Sequence, residues 1–313
     1  MREAEMADFT MRAAAPLSAE QWGSIEQIVL DVARRVLVGR RFIPIFGPLG
    51  PGVQTVADDE FTGTGQGVVS GFGDEPGAIV QSQARRYVAL PIIYKDFRVY
   101  WRDVETSQQF GVPLEVSTAA AAAAFTAQAE DSLIFNGNEA LGQHGLLDAP
   151  GRTTVPMSDW GTMGNAFRDV VGASEALLRA GFFGPYALVV SPLLYASMNR
   201  VYENTGVLEI EQVRKLMTAG VYQTAVVPEP TAVVISASAE NLDLALGQDY
   251  TVAFLETREM NHYFRVFETL ALRTKRHGAI CTLEGGPPRP AAAGARGRRG
   301  RRPRAGEGEQ EGV

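Results

Sequence analysis

The chain has 313 residues, of which 45% are hydrophobic and 21% charged, with a formal net charge of -7. That length accommodates one large or two ordinary domains, and that composition belongs to globular proteins rather than disordered ones. The acidic balance argues against nonspecific nucleic-acid binding, and the single cysteine, Cys281, rules out an intrachain disulfide framework and a cysteine-based metal site.

Charge is unevenly spread. The tail beyond Glu284 holds seven arginines and three glutamates, which leaves the body near -11. Residues 285–313 are rich in Pro, Ala, Gly and Arg and read as a disordered basic appendage. The N-terminus lacks an apolar signal core, and no window approaches the ~18 uninterrupted apolar residues of a membrane span. A cytoplasmic protein with no membrane partner is expected.

Residues 1–15 read as a flexible lead-in. Ser18 and Gln21 then have the spacing of a capping box, which opens a helix. Trp22, Ile25, Val29, Val32 and Val36 follow as an apolar stripe. Periodicity alone favours core packing, with a groove for a partner peptide as the alternative. Gly39 ends the helix, and Arg40, Arg41, a short apolar strand (Phe42, Ile43, Ile45, Phe46) and a Gly/Pro cluster to Gly52 form a hinge. Residues 53–83 are glycine-rich and predict a long two-stranded arm with little core of its own, which must lie on another chain.

The stretch from Arg85 to Glu105 predicts a strand, with Tyr100 and Trp101 as a candidate aromatic surface for a planar ligand and plain packing as the alternative. A long helix is predicted from Pro113 to Phe135. Its Glu130-Asp131 pair resembles a carboxylate dyad, but adjacent helical residues point about 100° apart and do not share a face, and the pair is expected to be exposed or at an interface. Strands and helices then alternate: a helix over Phe167–Ala180, a strand over Ala187–Val190 and helices over Pro192–Tyr202 and Leu208–Thr218. Strands follow over Val226–Ser236, Leu242–Leu255 and Tyr263–Lys275. The histidines His144, His262 and His277 show no zinc or triad spacing. No catalytic group, cofactor or metal site is expected, so the chain reads as a non-enzyme.

Taken in order, VGRRFIPIFGPLGPGVQT, ALPIIYKDFRVYWRDVE, AEDSLIFNG, FGPYALVVSPLLY, YENTGVLEIEQVRKLM, LALGQDYTVAFLE and MNHYFRVFETLALRTK resemble the encapsulin shell proteins of the linocin type. Within that family the resemblance is to shells that enclose ferritin-like iron cargo. It implies an α+β fold of the tailed-phage major-capsid (Hong Kong 97) type. Its parts would be an N-terminal helix and hinge (16–52), an extended arm (53–83), a peripheral domain with a spine helix (84–139 and 226–272) and an axial domain (140–225 and 273–284). It also implies an icosahedral homo-oligomer that encloses cargo through a short C-terminal targeting peptide on the cargo. Carried onto this chain, cargo docking falls to Ile25, Val29, Val32, Val36 and Arg40. Many relatives carry an aspartate where this chain has Pro44. The loop Glu203, Asn204, Thr205 and Gly206 would ring a five-fold pore and attract iron ions. Two alternatives accompany this reading, a prophage major capsid protein and a shell around a dye-decolourising peroxidase.

Overall fold

The computed structural model describes residues 8–62, 67–77, 79–202 and 206–285. The chain opens with α1 (Ala19–Val36), whose N-terminus is a capping box: the Gln21 amide donates to Ser18 Oγ and the Ser18 amide to Gln21 Oε1. The part of the lead-in that is described is docked. Phe9 lies edge-on to Phe267, and the Phe254 amide donates to the Thr10 carbonyl.

After the hinge come β1 (Ile45–Phe46), β2 (Thr55–Thr62), β3 (Gln81–Ala89) and β4 (Ile92–Val99). The strand expected to run on to Glu105 stops at Val99, and α2 (Trp101–Phe110) follows, closed by Gly111 in the left-handed region at φ 65°. Strand propensity favoured Tyr100 and Trp101 as β residues. The acidic first turn at Asp103 and the inward Val104 decide for a helix. Next is α3 (Ser117–Asn136), then β5 (Thr153–Pro156), α4 (Asn165–Arg179), β6 (Tyr186–Val190), α5 (Pro192–Met198) and α6 (Glu209–Leu216). The chain finishes with β7 (Gly220–Gln223), β8 (Ala232–Ser236), β9 (Leu242–Arg258), β10 (Asn261–Thr274) and β11 (Ile280–Glu284).

Among the described residues the strands form three sheets, ordered β1-β9-β10-β4, β5-β11-β8-β6-β7 and β2-β3. In the first, the antiparallel hairpin β9–β10 is flanked by antiparallel β4 and by parallel β1, registered Ile45 to Leu244. Helices α1 and α3 cover this sheet. The buried Ala119, Ala122, Ala123 and Ala127 of α3 allow α1 a close approach, and Trp22 meets Phe264 edge-on at 5.9 Å between centroids. The second sheet carries α4, α5 and α6 around a separate core that contains Cys281, whose thiol burial pushes up to about 12.

Two glycines fix the hinge. A Cβ on Gly39 would stand 2.7 Å from Ile134 Cδ1, so the chain after α1 lies directly on α3. Gly47 sits at φ 136°, where a Cβ would meet the Leu246 carbonyl at 2.3 Å. From there the Leu49 and Gly50 amides donate to the carbonyls of Leu246 and Gly247, which threads the chain along β9 before it turns into the arm.

Candidate functional site

Three regions bear on function: the inward face of α1 with its hinge, the arm, and the loop before α6. In the first, Ile25, Val29 and Val32 are buried against Phe97, Val99, Val252, Phe254, Phe264 and Val266. These three side chains seat α1 on the sheet, so a docking groove built from them is corrected to a packing surface. Val36 is half-buried. Half-buried Ile28 and Leu30 and exposed Ile45 and Phe46 are the apolar groups that α1 and β1 leave accessible.

Arg40, the remaining docking candidate, is held within the subunit. Its Nε donates to Glu130 Oε1 at 2.7 Å, one terminal nitrogen to Asp249 Oδ1 at 2.7 Å, and the other to Glu268 Oε2. The guanidinium also lies over the Tyr250 ring at 5.3 Å. Burial works against the charge on Arg40, but Glu130 and Glu268 outweigh it and raise its pKa. Both glutamates are fully buried, and Asp131 beside them is nearly so. Asp131 accepts hydrogen bonds from the amides of Val38 and Gly39 at 2.9 Å each, which pins the hinge to α3. Burial pushes its pKa up to about 7, against those two amides and with Glu130 adding to the rise. The expectation that Glu130 and Asp131 are exposed or at an interface is therefore corrected. They do diverge, but each reaches a long-range partner on the hinge that adjacency in sequence does not reveal. A sequence signal existed: Glu268 occupies the inward period-2 register between Val266 and Leu270, and Glu130 lies between the buried Ala127 and Ile134.

The arm is a ribbon in which β2 and β3 pair with each other, clamped across by Arg85 and Asp59 at 2.7 Å. Its base is tied to the hairpin. Arg273 makes a double hydrogen bond to Asp243 (2.7 Å each) and donates to the Ala57 carbonyl at 2.9 Å. Beyond that base, Val69, Phe72, Ile79 and Val80 are exposed, Phe72 at 95%, and Tyr87 is exposed opposite Ala57 at the base itself. So much exposed apolar surface on a ribbon without a core marks an interaction surface.

Of the pore candidates, Glu203, Asn204 and Thr205 lie outside the described residues, and Gly206 is exposed at φ 69°. The residues that flank this stretch pair with each other. The Tyr202 amide donates to the Val207 carbonyl at 2.9 Å, and the Glu209 amide to the Arg200 carbonyl at 3.1 Å. The fully buried Glu209 carboxylate accepts from the Phe167 amide in the first turn of α4 at 3.0 Å. Tyr100 and Trp101 do not form one aromatic surface, because Tyr100 caps α2 and Trp101 is its first residue, and the two side chains line different clefts. Tyr100 pairs with Arg98 in one cleft (280 Å³), and Trp101 lines another (600 Å³) with Leu17, Glu105, Met260 and His262. Among the described residues, no group of three or more His, Cys, Asp or Glu is placed to hold a metal ion, and no helix is long and apolar enough to cross a membrane.

Known proteins share this arrangement. The fold matches a virus-like particle from Pyrococcus furiosus (TM-score 0.69, 22% identity, 85% of this chain and 100% of that one). It also matches the capsid of the myovirus XM1 (TM-score 0.57, 12% identity, 79% and 90%), so the architecture is the tailed-phage major-capsid fold. In sequence, the type 1 encapsulin shell protein EncA of Myxococcus xanthus is 50% identical over 280 residues, which cover 90% of this chain and 98% of that protein. A diheme-cytochrome-encapsulin shell fusion protein of Kuenenia stuttgartiensis is 42% identical over 268 residues, 86% of this chain and 74% of that protein. The family model described as "Encapsulating protein for peroxidase" matches residues 7–271, and the chain belongs to that family, the Linocin_M18 encapsulin shell proteins.

Proposed function

We propose that this chain closes with copies of itself into a hollow icosahedral compartment and encloses a cargo protein. The arm carries this reading: its exposed apolar residues have no core within the subunit and are buried only if they lie on a neighbour. Expression of the chain alone is expected to give large hollow particles in light scattering and negative-stain micrographs. A monomer or dimer overturns the proposal.

Cargo docks, in this reading, through a short targeting peptide on the accessible rim of α1 and the hinge. Val36, Ile28, Ile45 and Phe46 are the apolar contacts there, and Ile25, Val29, Val32 and Arg40 support them from beneath. The cargo is a ferritin-like iron-oxidising protein, and iron enters past the 203–206 loop. A ferritin-like-encapsulin shell fusion protein of Pyrococcus furiosus among the relatives, 26% identical, supports the cargo class. The family description favours a peroxidase instead. Co-expression with each cargo class, followed by particle purification and iron assay, separates the two. A prophage capsid role has support only from fold likeness at low identity, and the match over 98% of a shell protein favours the compartment.

A further inference from the structure

Arg40 joins four segments: the hinge, α3 through Glu130, β9 through Asp249 and Tyr250, and β10 through Glu268. The charges at this junction do not balance. Glu130 and Glu268 are both without solvent exposure, whereas the Asp249 side chain is 55% exposed and solvated. If both glutamates were ionised, Arg40 would face two negative charges that have no solvent exposure, a net buried charge. Neighbouring groups do not correct this. Asp131 on α3 adds a further carboxyl, Arg41 acts on Asp131, and Tyr250 is a neutral phenol whose pKa burial raises.

The hydrogen bonds show where a proton belongs. Both oxygens of Glu130 have donors, Arg40 Nε at 2.7 Å and the Tyr250 hydroxyl at 3.4 Å. Glu268 has Arg40 on Oε2, and the Tyr250 hydroxyl acts on it as well as on Glu130, yet its Oε1 is buried and outside hydrogen-bond geometry of any donor among the described residues. An ionised carboxylate oxygen left without a donor in the core is costly, whereas a protonated one turns the vacant acceptor into a donor toward Glu130. We propose that Glu130 and Glu268 share one proton, held on Glu268, and that this proton latches the hinge and α1 onto the hairpin, so that its loss at alkaline pH releases them.

Burial, then the charge of Glu130, raises the pKa of Glu268 well above the usual carboxylate range, in keeping with this geometry. The sign follows. A carboxyl that holds its proton more tightly when folded gives stability that is complete at low pH and falls as pH rises through the folded value. The latch therefore opens with alkali, not with acid.

The effect on particles rests on the shell reading, but the protonation state does not. In glutamate-13C-labelled protein at pH 7, infrared spectra are expected to show a neutral carboxyl band that disappears on alkaline titration; its absence at pH 7 overturns the proposal. Glu268→Gln, neutral at every pH, is expected to raise the alkaline midpoint of particle loss in light scattering by at least about one pH unit. Glu130→Gln, which puts an amide where two donors point, is expected not to raise it. Equal midpoints in wild type and Glu268→Gln overturn the latch. If Glu268→Gln does not assemble, the infrared titration of the wild type decides. A chain that forms no particles while showing the band refutes the shell reading and leaves the latch standing.

Discussion

Arg40→Met tests whether Arg40 serves the fold or the cargo. The substitution keeps a comparable chain length and removes the only cation that, among the described residues, touches Glu130 and Glu268, both without solvent exposure. Breaking a buried ion pair by removing one partner costs about 3–5 kcal/mol, because the remaining charge stays desolvated. With one proton already held on Glu268, a single buried charge is left unpaired, so the lower end is the better expectation for this cluster. At roughly 2–4 °C per kcal/mol for a chain approaching this size, the midpoint of thermal unfolding should fall by about 6–12 °C. Differential scanning fluorimetry at one fixed scan rate measures this, with cargo content per particle scored in parallel. A variant that also carries Glu130→Leu and Glu268→Leu should recover most of the loss, since apolar side chains of similar volume replace a buried ionic cluster with little penalty. If Arg40→Met melts within about 2 °C of wild type while losing its cargo, Arg40 is a docking residue and the reasoning fails.

Val29→Asp places a charge against Phe264 and its neighbours, and it is expected to abolish soluble particles rather than merely empty them, as gel filtration will show. Asp131→Asn should flatten the pH dependence of melting between about pH 4 and 7. The wild-type carboxyl is pushed up from 3.8 to about 7, so wild-type stability declines as pH rises between those values and levels off above them, and matched melting curves across the window check this. Gly47→Ala puts a methyl group 2.3 Å from the Leu246 carbonyl at a left-handed φ. It should turn the arm away from β9 and yield unassembled subunits by analytical ultracentrifugation. Deletion of residues 286–313, which lie beyond the residues matched by the family model, is expected to leave particle diameter unchanged in micrographs.

Local signals in the sequence were reliable where one segment determines the outcome. The Ser18–Gln21 box opened α1 as the spacing predicts, and the stripe from Trp22 to Val32 faced the core. Its separation from a docking groove was not legible, because an apolar stripe looks alike whether a sheet or a peptide covers it. At Trp101 propensity pointed the wrong way: an aromatic run that favours strands yields to a helix whose first turn is acidic and whose Val104 finds the core. The Arg40 cluster escaped for another reason. Its members stand far apart in sequence, and only the β9–β10 register brings Asp249 and Glu268 beneath the hinge. The inward positions of Glu268 on its strand and of Glu130 on its helix were its local traces.

That separation has a consequence in time. Arg40 and Glu268 are 228 residues apart, and Trp22 rests on Phe264. At roughly 5–20 residues per second, translation leaves α1 without its seat for about 10–45 s after the hinge emerges. Parallel pairing of Ile45 with Leu244 imposes the same delay on the start of the arm. A nascent chain on the ribosome thus has neither a seated α1 nor an aimed arm. Both mature together only when the last hairpin is released, which makes assembly a post-translational event.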